Sequence, residues 1–166
     1  MFRRVLLLSF AALLLVNAAT TGWEYADCGL PSHPLQIESI ELFPDPPVPG
    51  QDLEVTVKAL ATKRIEDGAT ADVTVRLGLV KLLEKKFDMC HEARKLNAAV
   101  SCPVDPGTYT IVQAVALPKE IPTGKHCVSK FGVRVRGFTA DNEDMMCLDL
   151  KLDFMKSISS IFTSPF

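Results

Sequence analysis

The stretch LEVTVKALA at residues 53–61 and the stretch ADVTVRLGL at residues 71–79 decide the fold of this chain. In both of them apolar side chains occupy every second position, and polar side chains fill most of the positions between. Because successive side chains of a β-strand point to opposite faces of a sheet, this period of two predicts strands with one buried face. We therefore expect an all-β protein.

The same alternation continues along the rest of the chain. It recurs at residues 109–117, 130–138 and 148–154, and residues 36–43 form a less regular candidate strand. Residues 80–87 are ambiguous, because their lysines and leucines would also suit a helix. The pattern therefore predicts about seven short strands, a number typical of β-sandwiches.

Turn-forming residues separate these segments, and long helical patterns do not lie between them. Clusters of Gly, Pro, Asp and Asn interrupt the chain at intervals of roughly 8 to 15 residues. The arrangement predicts an immunoglobulin-like antiparallel β-sandwich of two sheets, with one short helical turn at residues 90–97. Trp23 is the only tryptophan and precedes every cysteine, so the buried Trp and inter-sheet disulfide of an antibody domain are not expected.

The first residues have the pattern of a secretory signal peptide. Arg3 and Arg4 precede an apolar stretch at residues 5–16, and small residues follow it. The apolar stretch is shorter than the roughly 20 residues of a membrane-spanning helix, which leaves a non-cleaved anchor as the less favoured alternative. We expect residues 1–18 to be removed and the protein to reach the secretory pathway, as a secreted or a vacuolar or lysosomal protein.

Charge and length indicate one mildly acidic domain. The chain has 166 residues, with 18 Lys and Arg against 20 Asp and Glu. Nucleic-acid binding is not expected, because it requires a dense basic surface. We expect a monomeric domain at residues 23–154 and a loosely held C-terminal tail at residues 155–166.

Five cysteines allow two disulfides and one unpaired thiol, and their number alone leaves the pairing open. Cys28 and Cys147 lie near the two ends of the predicted domain, and Cys90 and Cys102 bracket a short polar segment. We therefore predict these two bridges, with Cys127 free. A zinc site built from Cys90, Cys102 and Cys127 with His91 and His126 is disfavoured, since the ligand spacing is unusual and an oxidising compartment favours disulfides.

Several short motifs carry a family resemblance. They are WEYADCG at residues 23–29, PDPPVPG at 44–50, FDMC at 87–90, SCP at 101–103, LPKEIP at 117–122 and MCL at 146–148. Together they resemble the ML lipid-recognition family, which includes the Niemann-Pick type C sterol carrier, and most of all its fungal phospholipid-transfer members. Residues 124–129, which include Cys127, look like a short insertion relative to that family.

The resemblance implies a sandwich whose two sheets separate to admit a lipid, with disulfides matching Cys28–Cys147 and Cys90–Cys102. It implies intermembrane transfer of a sterol or of a phospholipid such as phosphatidylglycerol or phosphatidylinositol, with transient contact at a membrane surface. Neither catalysis nor a cofactor is expected. The alternative is a secreted lipid-sensing module that docks to a partner receptor.

The residues themselves give weaker support for an internal cavity. The predicted inner faces are rich in Ala and Val, which leave volume where larger side chains would meet. The candidate cavity residues are Val55, Val57, Val73, Val75, Tyr109, Val112, Phe131, Val133, Val135, Leu148 and Leu150. The competing interpretation is that these side chains close-pack as an ordinary core.

Candidates for other chemistry are weak. The histidines His33, His91 and His126 lie in turns or beside cysteines, and the G-x-S-x-G motif of a serine hydrolase does not accompany them. The lysines at positions 81, 85 and 86 could meet anionic headgroups, but a solvated surface is the simpler explanation.

Overall fold

The computed structural model of the chain describes residues 22–95, 100–121 and 130–154. These residues form eight strands and one helix. In chain order the elements are β1 Trp23–Asp27, β2 Leu35–Phe43, β3 Asp52–Ala61, β4 Thr70–Leu77, β5 Val80–Asp88, α1 Met89–Lys95, β6 Gly107–Ala116, β7 Lys130–Phe138 and β8 Asp144–Asp153. The predicted signal peptide, Cys127, His126 and the C-terminal tail lie outside the described residues.

The strands form two antiparallel sheets. The larger sheet has the order β1-β8-β7-β4-β5, and the smaller sheet has the order β2-β3-β6. Every strand pair within them is antiparallel. The predicted β-sandwich is confirmed, and the eighth strand is β1, an edge strand of five residues that the sequence pattern did not reveal.

The alternation of apolar and polar residues determines which face of each sheet points to the interior. On β3 the side chains of Leu53, Ala59 and Ala61 are buried, while the charged Glu54 and Lys58 between them are exposed. On the larger sheet Gly137 of β7 faces Met146 of β8, and a Cβ at Gly137 would lie only 2.5 Å from Cγ of Met146. Alternation therefore directs apolar side chains inward, and Gly137 makes room for Met146.

The core lies where the two sheets meet along β2 and β8. Its buried side chains come from both sheets and from the loops that join them. They are Ile40, Leu42, Leu53, Ala61, Ile65, Ala69, Cys90, Met145, Met146, Leu148, Leu152 and Phe154. Burial of these apolar side chains away from water is the main source of stability for such a sandwich.

Two uncertain predictions are settled by the structure. Residues 80–88 form strand β5, paired with β4 from Thr70–Asp88 to Leu77–Val80, and not a helix. The predicted helical turn exists as α1, of which Met89–Lys95 are described, and Leu96 and Asn97 of the prediction lie outside the described residues.

A disulfide between Cys28 and Cys147 fastens the start of the domain to β8. The two Cα atoms are 4.9 Å apart and the cysteines are separated by 119 residues. The backbone N–H of Cys28 also donates to the carbonyl oxygen of Cys147 at 3.0 Å. Because β1 is a short edge strand, this covalent link supplements a short hydrogen-bonded ladder.

We expect Cys147→Ser to lower the free energy of unfolding by about 4 to 5 kcal/mol, the chain-entropy value for closing a loop of this length. Chemical denaturation under oxidising conditions measures this loss. The matched control is the Cys28→Ser/Cys147→Ser double variant, which should lose the same amount within about 0.5 kcal/mol because one bond accounts for both effects. Additive losses from the two substitutions would contradict this assignment.

Candidate functional site

A cavity of about 370 Å³ lies between the two sheets and opens at its side. Its walls come from both sheets, from α1 and from the loops that flank them. The lining residues are Leu35, Ile37, Val57, Ala59, Ala61, Ile65, Ala69, Met89, Cys90, Glu92, Ala93, Val100, Cys102, Val104, Tyr109, Ile111, Gln113, Met146 and Leu148. Nearly all of these side chains are apolar, which suits a hydrocarbon ligand.

Small side chains on β3 make room for the cavity. Ala59 and Ala61 line it and lie directly opposite Tyr109 and Gly107 of β6. The inner faces of a β-sandwich normally interdigitate across about 10 Å. Alanines at these two positions cannot fill that distance, so space remains in front of β3.

The opposite wall comes from β8, and the rim comes from β2. Met146 and Leu148 project from β8, and Leu35 and Ile37 project from the first half of β2. The pairing of β2 with β3 shifts between Ile37 and Ser39, as in a β-bulge. Because a bulge changes which residues face inward, it lets Ile37 and Ile40 both contribute to the interior.

Helix α1 and a disulfide close one side of the cavity. Met89, Cys90, Glu92 and Ala93 of the helix line the wall, and Cys90 is bonded to Cys102. The segment around Cys102 is held to the β3–β4 loop by hydrogen bonds in both directions between the backbones of Ile65 and Val104, each 2.9 Å long. An ion pair of 3.0 Å between Arg94 and Asp67 joins the helix to the same loop.

Polar groups in the wall are few. The Tyr109 hydroxyl donates its proton to the carbonyl oxygen of Asp105 at 2.8 Å. Glu92 lies on the rim, 3.8 Å from the ammonium nitrogen of Lys95. Gln113 lies on the inner face of β6 and donates to the carbonyl oxygen of Ala114 at 3.0 Å. The cavity can therefore hold an apolar body and meet a polar group at its edge.

Three of the sequence-predicted cavity residues line this cavity: Val57, Tyr109 and Leu148. Val55 lies on the same face of β3 as Val57, since alternate residues share a face, and it packs against the core cluster. The structure therefore brings together one predicted residue from each of β3, β6 and β8.

The other predicted residues on the larger sheet lie beside the cavity. Register pairs Val135 with Leu148 and with Val73, and pairs Val133 with Leu150 and with Val75, so all of them share the inner face with Leu148. Phe131, Val135 and Leu150 pack against the core cluster, and Val73, Val75 and Val133 are half-buried. These six residues form an apolar surface that extends from the cavity toward β5.

Val112 lies on the other side of the smaller sheet. It is 55% exposed, and its neighbours Ile111 and Gln113 line the cavity instead. The predicted strand was right, but alternation alone does not say which of its two faces points inward. Val112 and Ala114 are small apolar residues like the valines and alanines of β3, which is why their face was expected to point inward. The residues of β6 that point into the cavity are Tyr109, Ile111 and Gln113.

The wall contributed by α1 and by residues 100–104 was not predicted as part of the site. Met89, Glu92, Ala93, Val100 and Val104 lie outside the alternating strands on which the sequence argument rested. The available signal was the pair Cys90 and Cys102, because a disulfide across a short excursion brings that excursion against the sandwich.

The sulfurs of Cys90 and Cys102 are bonded to each other and are not available as thiolate ligands. Asp67 lies close to them, and its carboxylate instead pairs with Arg94. Of the candidate zinc ligands, His91 lies near Glu92, with 3.9 Å between its Nδ1 and a carboxylate oxygen.

Ion pairs on the outer face of the larger sheet shift several pKa values. The Arg134 guanidinium donates two hydrogen bonds, of 2.6 and 2.7 Å, to Asp149 and lowers the pKa of that carboxyl. A hydrogen bond from Lys151 to Glu24 raises the pKa of Lys151. Arg134 and Asp149 face each other across β7 and β8 on the side turned away from the cavity.

The described residues include no helix with the length and hydropathy that crossing a bilayer demands.

The fold and the cavity define a β-sandwich with an apolar interior, and comparison with known proteins gives its family. The family model of the ML domain matches residues 22–154. The chain belongs to the ML domain family. The predicted resemblance is thereby confirmed.

Two fungal relatives are similar over most of the chain. The phosphatidylglycerol/phosphatidylinositol transfer protein of Cryptococcus neoformans var. neoformans serotype D is 57% identical over 134 residues, which are 81% of this chain and 72% of the relative. The protein of the same name from Mycosarcoma maydis is 44% identical over 133 residues, which are 80% of this chain and 66% of the relative.

Solved structures share the fold at low sequence identity. A Niemann-Pick type C2 protein from the Japanese carpenter ant superposes with a TM-score of 0.57 at 13% identity, covering 77% of this chain and 96% of that one. Chicken MD-1, crystallised with lipid IVa, gives a TM-score of 0.54 at 14% identity and covers 81% of this chain and 92% of its own. These likenesses support the sandwich architecture.

We expect Ala59→Phe to fill the cavity and to reduce uptake of a fluorescent phospholipid by at least about tenfold, a loss of roughly 1.4 kcal/mol of binding free energy. The melting temperature should change little, because the new ring enters space that is vacant without ligand. The matched control is Ala71→Phe, since Ala71 is a buried alanine of the other sheet that does not line the cavity. The free energy of unfolding of that variant should fall by about 1 to 3 kcal/mol, because the added ring overpacks the core. Unfolding of Ala59→Phe, or unchanged uptake by a folded variant, would contradict the cavity assignment.

Proposed function

We propose that this protein transfers a lipid between membranes, holding the apolar part of its cargo between the two sheets. The observation that carries the proposal is the cavity of about 370 Å³, whose walls are almost entirely apolar and whose polar side chains, Glu92, Tyr109 and Gln113, are few. A cavity of this character does not attract a polar metabolite, because hydrogen-bonding groups would be left unpaired inside it. A hydrocarbon chain or a sterol ring system meets no such cost.

The proposed cargo is a phospholipid of the phosphatidylglycerol or phosphatidylinositol type, with a sterol as the alternative. Relatives at 57% and 44% identity carry the name of phosphatidylglycerol/phosphatidylinositol transfer proteins. The apolar part of either cargo fits the chemistry of the walls. In this proposal the headgroup stays at the open side of the cavity.

We propose that the lipid contacts a larger surface than the cavity walls alone. Val57, Tyr109 and Leu148 would touch the cargo directly. The adjoining inner-face residues would be reached as the sheets separate around a longer chain. These residues are Val55, Val73, Val75, Phe131, Val133, Val135 and Leu150.

Transfer in this scheme needs no covalent chemistry. Moving one buried methylene of an acyl chain into water costs about 0.8 kcal/mol, so a chain leaving a bilayer faces a high barrier. An apolar cavity offsets that cost by replacing the bilayer contacts with protein contacts. We infer that the protein acts as a carrier and not as an enzyme.

We propose that the protein works as a monomer in the lumen of the secretory pathway, or as a secreted or vacuolar protein, and touches membranes transiently. The support is the signal-peptide pattern at residues 1–18 together with two disulfides, which form and persist in oxidising compartments. A carrier must reach a bilayer surface to load and to unload its cargo.

We expect the purified protein to move fluorescent phosphatidylglycerol or phosphatidylinositol from donor to acceptor vesicles without any second protein. The rate of transfer should rise in proportion to protein concentration, because each molecule carries its own cargo. A dequenching assay measures the transfer rate. The matched control is folded Ala59→Phe, whose transfer rate should be lower by at least about tenfold. If uptake occurs but transfer requires an added receptor protein, the chain is a lipid-sensing module and the carrier proposal is wrong.

A further inference from the structure

The hairpin that joins β4 to β5 ends in a cluster of exposed apolar side chains. Leu79 is 97% exposed, Val80 62%, Leu82 52% and Leu83 46%. We refer to these four residues as the hairpin tip. Single exposed leucines are ordinary on protein surfaces, but four large apolar side chains grouped on one protrusion indicate a surface that binds something.

The backbone holds the hairpin tip outward. Leu77 pairs with Val80, so Gly78 and Leu79 form a two-residue loop. Gly78 has a φ of 58°, and a glycine with positive φ at the first central position suits the type II′ turn of tight hairpins. The N–H of Gly78 donates to the carbonyl oxygen of Lys130 at 3.3 Å, which ties the base of the loop to β7. Leu79 therefore stands beyond the last hydrogen bonds of the sheet.

Cations flank the hairpin tip. Residues 76–88 contain Arg76, Lys81, Lys85 and Lys86 against two carboxylates, Glu84 and Asp88, while the whole chain has a net charge of −2. Lys81 is paired with Glu84, which leaves Arg76, Lys85 and Lys86 against Asp88. The Lys85 ammonium lies 4.6 Å from the centroid of the Phe87 ring, and the Lys86 ammonium lies 5.7 Å from that of Phe138. Both ammonium groups therefore lie along β5, where Lys85 pairs with Val73 and Lys86 pairs with Asp72, and Lys85 is the nearer of the two to the hairpin tip. The local excess of positive charge is complementary to an anionic partner.

The hairpin tip is continuous with the inner face of the larger sheet. Val80 is paired with Leu77, and Leu83 is paired with Val75, so both side chains lie on the inner face. That face runs on through Val133 to Leu150. An apolar surface therefore leads from the side of the cavity to the exposed end of the hairpin.

We propose that the hairpin tip inserts into the interface of a bilayer rich in anionic phospholipid and aligns the inner face of the sheet with the acyl chains. The lysines then meet the phosphates of the surrounding headgroups, the combination by which interfacial elements bind anionic membranes. The proposal rests on the proposed function, because a carrier that loads from a bilayer needs a surface that faces one. A protruding apolar tip with flanking cations suits a fluid interface better than the flat surface of a protein partner.

The first test is sedimentation with vesicles. Binding to vesicles of phosphatidylcholine with phosphatidylglycerol should exceed binding to phosphatidylcholine alone and should weaken at high salt. Leu79→Ser should bind the anionic vesicles about tenfold more weakly, since it removes the most exposed apolar group from the hairpin tip. The matched control is Phe43→Ser, which removes an exposed ring at the end of β2 and should bind like the unmodified protein. Equal binding by Leu79→Ser and the unmodified protein would overturn the proposal.

The second test separates charge from apolar contact. Lys85→Gln should weaken binding to anionic vesicles by about fivefold and leave binding to phosphatidylcholine unchanged, because one cation near such a surface contributes on that scale. Lys63→Gln, an exposed lysine in the β3–β4 loop, is its control and should have no effect. If both variants behave alike, the anionic part of the proposal is wrong.

A third measurement distinguishes failure of this proposal from failure of the carrier function. Uptake of a water-soluble, short-chain fluorescent phospholipid requires no membrane, so Leu79→Ser should take it up normally while transferring lipid between vesicles about tenfold more slowly. Normal transfer by Leu79→Ser would overturn the docking proposal and leave the carrier function standing. Vesicle binding that depends on Leu79, in a protein that takes up no lipid, would support the docking surface and contradict the carrier function.

Discussion

The packing of β2 against β8 is the contact on which the rest of the structure depends. Buried side chains from both strands meet there, with Ile40 and Leu42 on one side and Met146, Leu148 and Leu152 on the other. This seam closes the sandwich along one side, next to the Cys28–Cys147 disulfide. Away from it, the valines on the inner faces of β7 and β4 are only half-buried. A sandwich that is tightly joined along one side and open along the other has room for a ligand without giving up its core.

The second disulfide, between Cys90 and Cys102, acts mainly on the cavity wall, since it closes only a short loop of the chain. Cys90 and Cys102 are separated by only 12 residues, and both line the cavity. Their bond holds α1 against the side of the sandwich, where the Ile65–Val104 hydrogen bonds and the Arg94–Asp67 ion pair also act. The wall that faces the ligand is therefore partly a short helix held in place by cross-links.

Much of the fold could be predicted because the period of two is a property of individual strands. Residues 53–61 and 71–79 alternate so regularly that their strands follow from the sequence alone, and β3 and β4 match them closely. Strand β1 was missed because five residues at a sheet edge carry too short a pattern. Helix α1 was predicted because its residues are good helix formers. Strand β5 was ambiguous for a similar reason, since its lysines and leucines also suit a helix.

The candidate site was less accessible to sequence reasoning, and the reason is geometrical. Alternation groups Val73, Val75, Val133 and Val135 with Leu148 on one face, and the cavity occupies only part of that face. Val112 illustrates a second difficulty, since a strand with apolar residues on both faces does not reveal which face is inward. Ile65, Ala69 and Val104 come from loops, where no periodicity exists. The placement of the two sheets relative to each other decides whether the valines of the larger sheet, Val112 and the loop residues line the cavity. The hydrophobic pattern of the sequence does not encode that placement.

Native mass spectrometry of the protein after incubation with membrane vesicles tests the central claim most directly, because it counts bound lipid without reference to any transfer step. The account predicts one phospholipid or sterol per chain in the unmodified protein, and the same occupancy in Leu79→Ser once loading has reached equilibrium. It predicts loss of that lipid in folded Ala59→Phe. An unmodified protein that stays lipid-free, or an Ala59→Phe variant that carries as much lipid as the unmodified chain, would contradict the account.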